Sequence, residues 1–400
     1  MRARREEYSE ERVAAAAVVT FNVSLCPPSP QIASAAIGPL LIPPPPPAGG
    51  GARPAGIEPP TIVAVGLQRV TRYAKSEIGE ELMEGWRGAV GRALADAYPA
   101  SIFADLPEPG KPAYRPLLTK YSCGVLLLVW ARADRWGWVS DARMAWHGIG
   151  LGGGRGTVAL RMRLADSTVC LLCSHFEAET KEQIAQAAAE TLAETRFGFT
   201  GGDRSDREAV AAVQLAGKAV GRGDVPADHD ALIWFGDFHF SLDGQSPETI
   251  GAALADSGDG WARLLEADGL RLLAAEDPDG PFGGMMEGAL VFPPTSYFVR
   301  GGPPPPPLPS SRSTSGAAAL RLRCCRPHTA RRPAPVAGAA AGRYDLADPA
   351  RLPGWRSRVL CSGPAVRGLR DYRAAPGGDS THQGMMHRYK SAAGTPYIHR

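Results

Sequence analysis

The sequence predicts a layered α/β domain interrupted by two proline-rich insertions, and three observations carry that reading. Short apolar runs rich in β-branched residues recur along the chain, some adjacent and some separated by helical stretches, which is the pattern of stacked sheet and helix layers rather than of a bundle. The 47 Gly and 37 Pro make up about a fifth of the 400 residues, but 21 of the prolines fall within 26–60 and 301–343. Strand material continues on both sides of each proline-rich stretch, so one domain, twice interrupted, accounts for the chain better than two domains.

In order along the chain, residues 1–12 form a charged tail of balanced sign and the domain is expected over 13–385. Val13–Val23 reads as a strand or a short helix-to-strand segment. The insertion 26–60 carries the run Pro43–Pro47, which favours extended polyproline II. Thr61–Gln68 is a buried strand, and Ile78–Tyr98 a helix whose apolar residues recur at three-to-four spacing before Pro99 stops it. Strands follow at Gly124–Ala131, Thr157–Leu164 and Ser167–Ser174, then helices at Thr180–Thr195 and Arg207–Val220, then a strand at Ala231–Phe235. The apolar segments EGALVF and VLCSG flank the second insertion, 301–343, with its run Pro303–Pro307, and 386–400 is expected to be a tail without the alternation of a closing strand.

Composition excludes several classes. Glycine has no three-residue period, so collagen is out, and the apolar runs exclude disorder throughout. The net charge of +3 is too mild to announce a nucleic-acid partner. It also divides unevenly: 301–343 holds seven Arg and no acid, which leaves −4 on the rest. Seven cysteines are a sparse, odd set rather than a disulfide framework. Cys170 and Cys173 lie three apart on a strand and so face opposite ways, which makes them core thiols rather than a metal clip. The first residues lack the apolar stretch of a secretory signal, and no run reaches the roughly 18 apolar residues of a membrane span, so the expectation is a soluble, cytoplasmic protein.

Four strands end in polar side chains: Asn22, Gln68, His175 and Asp237. In layered α/β proteins such C-terminal strand ends converge on one rim where ligands bind. Gly148-x-Gly150-x-x-Gly153 has the letters of a dinucleotide fingerprint but is followed by a strand rather than a helix, so it reads as a Gly-rich hairpin carrying Arg155. The FPPT and LPGWRSR blocks mark fixed loops beside strands, and Arg358 could offer a bidentate donor to an anion.

Taken in order, TFNVS, VGLQR, GGGRGTVAL, CSHFEAE, HDALIWFGDFHFSL, EGALVFPPTSYF, YDLADPARLPGWRSRVL and STH resemble the motif series of the inositol polyphosphate 5-phosphatases, within the endonuclease/exonuclease/phosphatase superfamily. The resemblance implies a four-layered α/β sandwich and Mg²⁺-dependent removal of the 5-phosphate from inositol phosphates or phosphoinositides. It implies that Asn22 lies near the metal, that His175 contacts the scissile phosphate, that Asp237 acts as the base, and that His382 is the terminal histidine of the series. Arg155 stands where the family has lysine, and Arg351, Trp355 and Arg358 match its basic and aromatic positions. Other positions depart from it. The family's metal-binding glutamate is Arg69, its asparagine two residues after the base is His239, and the arginine beyond that is Ser241. The lysine of the FPPT block is Tyr297, and the two late aspartates are Ser357 and Thr381.

These departures leave two readings open: a metal-dependent phosphatase, or a catalytically silent relative that binds phosphoinositide or a protein, with Arg69, Arg155, His175 and Arg358 as cationic donors. Two further partners are expected. The proline runs suit SH3- or WW-type modules, and the Arg-rich insertion suits an anionic membrane surface, which would hold the domain peripherally at lipid.

Overall fold

The computed structural model describes residues 12–30, 33–41, 59–71, 78–103, 106, 110–149, 154–178, 180–197, 225–255, 263–287, 290, 356–362, 366–375 and 384–393. The expected helix at 207–220 and both proline runs lie outside them. Two six-stranded sheets form the centre. The first runs β11–β12–β1–β2–β4–β3, from Val366–Ala375, Gly384–Ala393, Arg12–Asn22, Ile62–Gln68, Val125–Arg132 and Tyr114–Ser122. The second runs β5–β6–β7–β8–β10–β9, from Val139–Gly148, Gly156–Leu164, Ser167–His175, Ala231–Asp237, Ser357–Ser362 and Met286–Glu287.

Period-two alternation sorts each strand's side chains into layers. Val18, Ala64, Leu127, Leu171, Ile233 and Val359 meet between the sheets. Val19, Val65 and Leu128 turn outward against helices α1 (Gly38–Leu41) and α2 (Ile78–Ala97), where Trp86, Val90 and Leu94 supply the apolar stripe. On the opposite outer face, Cys170, Leu172, Trp234 and Leu360 pack with α3 (Lys181–Glu194) and α5 (Gly269–Glu276). A nine-residue helix at Pro247–Ala255, α4, buries Ile250 in the central layer. The architecture is therefore helix, sheet, sheet, helix, as the resemblance implies. Cys170 and Cys173 do fall on opposite faces, and burial pushes the Cys173 thiol up to about 12.

Gly66 sets how closely the sheets approach: a Cβ there would lie 2.4 Å from Cys173 Sγ and 2.7 Å from a ring carbon of Phe235. Any larger residue would push the layers apart.

Two sequence expectations are corrected, and two strands are added. Gly384–Ala393, read as the start of a tail, is a strand paired antiparallel to β1 from Thr20↔Met385 to Arg12↔Ala393. Strand pairing is a main-chain property, so side-chain alternation was the wrong test for a segment that satisfies an otherwise open edge of β1. The first insertion is not extended throughout, since Ala33–Ile37 forms a π-helical turn running into α1. Ile37, Leu40 and Leu41 there are buried, and Tyr98 Oη donates to the Leu41 carbonyl at 2.7 Å. Strands β3 and β5, the edges of the two sheets, were not read from the sequence.

Candidate active site at the strand ends

Two parallel strand pairs, one in each sheet, bring the polar strand ends together. In β1/β2 the last register pair is Asn22↔Gln68, and in β7/β8 it is His175↔Asp237. All four are buried, and alternation along each strand turns them toward the space between the sheets. The sheets then join at this rim, where Asn22 Nδ2 donates to Asp237 Oδ2 at 2.7 Å. Asn22 is held in that orientation by its other amide atom, since Oδ1 accepts from the Ser24 backbone N–H at 2.9 Å. Gln68 takes a different role: it accepts from Thr20 Oγ1 at 3.2 Å and its Nε2 lies 3.4 Å from Cys173 Sγ, so it packs the interlayer.

Asp237 is fully buried, and its second oxygen accepts from the His239 backbone N–H at 3.2 Å. His239 itself adopts a left-handed backbone, with φ 64°. The same conformation recurs at Ser24, Leu25, Arg69 and Cys123, so strained non-glycine backbone gathers just past the strand ends. His239 Nδ1 lies 3.1 Å from the Ala178 carbonyl, which can only accept, so Nδ1 carries the proton. Burial, aided by the Arg356 guanidinium, pushes the His239 pKa down to about 3. The ring is therefore neutral at pH 7 and presents Nε2 as an acceptor, not as a cation. His175 is oriented in the same way, its Nδ1 bonded to the Gly154 carbonyl at 2.9 Å.

Two arginines lie on the segments that adjoin these strand ends. Arg69 follows Gln68, is half-buried, and its guanidinium makes no ion pair or hydrogen bond among the described residues. Its backbone carbonyl is anchored by the Leu25 N–H at 2.8 Å. The neighbouring turn at Gly124 (φ 76°) sits so close to the β5–β6 hairpin that a Cβ would come 3.0 Å from the Gly154 carbonyl oxygen. This close approach brings the hairpin that carries Arg155 next to the β3–β4 turn, which is tied to the Arg69 segment by a hydrogen bond from Val70 N–H to the Gly124 carbonyl at 3.1 Å. Arg155 pairs with Glu177 at 3.6 Å. Glu177, two residues beyond His175, was not among the site residues expected from the sequence.

Arg358 is a correction. It lies on β10 one residue away from the site-facing Ser357, which is buried opposite Asp237 in register. Its side chain turns to the outer face, where Nη1 donates to both Glu287 oxygens at 3.0 Å and Nη2 to buried Asp268. Alternation excludes it from the rim, and two carboxylates already engage it. Arg351, Trp355, Tyr297, Thr381 and His382 lie outside the described residues.

The residues present do not fit the magnesium that the motif resemblance implies. Mg²⁺ needs hard oxygen ligands in near-octahedral array. Asp237 is the single carboxylate among Asn22, Arg69, His175, His239, Asp237 and Ser357, and both its oxygens already accept hydrogen bonds. No group of three His, Cys, Asp or Glu suited to a metal occurs among the described residues.

Comparison with known proteins agrees with the motif reading. The family model described as Endonuclease/Exonuclease/phosphatase family 2 matches residues 19–302. Type IV inositol polyphosphate 5-phosphatase 9 of Arabidopsis thaliana is 30% identical over 198 residues, 46% of this chain and 41% of that protein. Type I inositol polyphosphate 5-phosphatase 13 of the same organism is 25% identical over 348 residues, 80% of this chain and 25% of that protein. The chain thus spans less than half the length of these relatives. Among solved structures, the inositol polyphosphate 5-phosphatase domain of a synaptojanin, in complex with inositol (1,4)-bisphosphate and calcium, aligns with TM-score 0.62 at 19% identity over 98% of this chain and 88% of that one. A Cimex nitrophorin in its ferrous NO complex aligns at 0.52 and 11% identity over 95% and 99%. One fold carries both, so chemistry has to be argued from the site.

Proposed function

The chain belongs to the endonuclease/exonuclease/phosphatase family 2, and from that premise we propose that it is a 5-phosphatase-type protein whose rim binds phosphorylated inositol through arginine rather than through a resident divalent metal. The observation that carries this reading is Arg69, a guanidinium without an ion pair or hydrogen bond among the described residues, placed one residue beyond the Asn22↔Gln68 register pair. A guanidinium supplies a fixed fork of donors that matches phosphate oxygens without proton or metal exchange. The names of the relatives and the inositol bisphosphate in the synaptojanin complex support an inositol phosphate, free or as a lipid headgroup, as the ligand class.

In this arrangement the chain's own groups divide the work. Arg69 and Arg155 attract the phosphate. His175, held by Gly154, directs Nε2 away from that bond. Asp237, buried and fixed on both oxygens by Asn22 and His239, ties the two sheets at the floor of the rim, below the end of β7 that His175 closes.

A second reading, hydrolysis of the 5-phosphate monoester, is supported by one specific observation: Asn22 and Asp237, the residues that the motif resemblance assigns to the metal site and to the base, meet across the sheets. Without a divalent ion the charge that develops on a transferring phosphoryl group has a weaker counterweight, so binding is the activity to expect. Phosphate release from inositol 1,4,5-trisphosphate, measured with Mg²⁺ and beside an Asp237→Ala control, separates the two. Release at the control level supports the binding reading, and release well above it establishes the phosphatase. The membrane surface for 301–343 and SH3- or WW-type partners for the proline runs stand as further proposals, testable by vesicle and peptide binding with each segment deleted.

A further inference from the structure

We propose that Glu177 is a latch on Arg155 that sets how tightly the rim takes a phosphate dianion. This rests on the reading of the rim as a phosphate site. The backbone beneath Arg155 is fixed: the Gly154 carbonyl accepts from His175 Nδ1 at 2.9 Å, and the Arg155 carbonyl accepts from the Ile149 N–H at 3.0 Å. With its main chain pinned over the end of β7, Arg155 reaches Glu177 through Nε at 3.6 Å, and this is its ion pair among the described residues. The two side chains are 51% and 46% exposed, so the pair sits in water at the mouth of the site rather than in the core.

Such a pair is weak enough to break. Exposed ion pairs shift an equilibrium by no more than about fivefold. The contact is also monodentate, whereas a phosphate monoester offers a guanidinium two parallel bonds and a second negative charge. A dianion can therefore displace Glu177, while a singly charged anion competes with the carboxylate on nearly equal terms. Glu177 thus lowers the affinity of Arg155 for any anion by the strength of the pair, and a phosphomonoester dianion retains enough affinity to bind in spite of it.

The test uses the full chain and titrates inositol 1,4,5-trisphosphate against wild type, Glu177→Gln, Arg155→Gln and the double variant. Glu177→Gln is expected to tighten binding about fivefold in the wild-type background and less than twofold when Arg155 is already Gln. A second readout needs no ligand: phenylglyoxal labelling of Arg155, followed by peptide mass spectrometry, should run faster in Glu177→Gln. Unchanged affinity with unchanged labelling overturns the latch, as does an equal gain in both backgrounds. If wild type fails to bind the trisphosphate while labelling still accelerates, the phosphate reading of the rim falls and the contact itself stands.

Discussion

Arg155 and Arg358 look alike in the sequence: each lies beside a strand, and each matches a basic position of the 5-phosphatase motif series. In the fold they are opposites. Arg358 is fully buried on the outer face of the second sheet, clamped by Glu287 and by Asp268, itself fully buried. Arg155 stands half in water at the strand-end rim with one loose acidic neighbour. The difference teaches that availability, not charge, decides whether an arginine can serve a ligand. A buried guanidinium already engaged by two carboxylates is part of the framework, and a solvated one is open to exchange.

The most severe way to break this comparison is to remove each arginine. Arg358→Met removes the guanidinium bound to fully buried Asp268, and stranding a buried charge costs about 3–5 kcal/mol. Burial pushes the Asp268 carboxyl up and Arg358 opposes it, so the loss falls on a group that also caps α5 by accepting from the Arg271 N–H at 3.3 Å. Arg155→Met should change stability by less than about 0.5 kcal/mol, as exposed substitutions do. Urea denaturation of both variants decides it. A stable Arg358→Met protein that has lost anion binding would reverse the two assignments.

Next in size is the bond between the sheets. Asn22→Ala deprives buried Asp237 of one donor, and an unsatisfied buried acceptor costs about 1–3 kcal/mol. The loss should appear as a lower urea midpoint with an unchanged slope. A stability equal to wild type would mean that Asn22 does not tie the layers at the rim.

A subtler effect is pH dependence from His239. Its folded pKa, about 3, lies below the ordinary 6.5 of an unfolded histidine. Between those values the unfolded chain binds the extra proton, so stability is fully present above 6.5 and declines as pH falls toward 3. His239→Asn keeps a residue that tolerates φ 64° and removes the titration. Its urea midpoint should fall less than that of wild type between pH 6.5 and 4.5. Parallel falls would show that His239 is not the group responsible.

What could be read from the sequence followed burial. GVLLLVWA, STVCLLCS and ALIWF are apolar on both faces, and each appears as a strand within one or two residues of its expected limits. Tyr114–Ser122 and Val139–Gly148 went unread because they are edge strands, with Pro116 at a register shift in one and half-buried polar residues in both. The site was legible in the same measure. Asn22, His175 and Asp237 end parallel strands, where topology alone directs polar groups to one rim. Arg358 was misplaced because the run Val359-Leu360-Cys361 is buried on both faces, so hydrophobicity cannot say which parity faces the site. The Arg155 contact with Glu177 joins a hairpin to a strand end, a juxtaposition that only the register of β6 on β7 creates.

The central claim is that arginine, not a divalent ion, holds phosphate at this rim. Calorimetric titration of inositol 1,4,5-trisphosphate into the full chain in EDTA, with wild type beside Arg69→Gln, tests it most directly. Wild type is expected to bind without metal and Arg69→Gln to bind about tenfold more weakly, the loss of one charge-assisted contact. Binding that appears only when Mg²⁺ is restored, and is indifferent to Arg69, would contradict it.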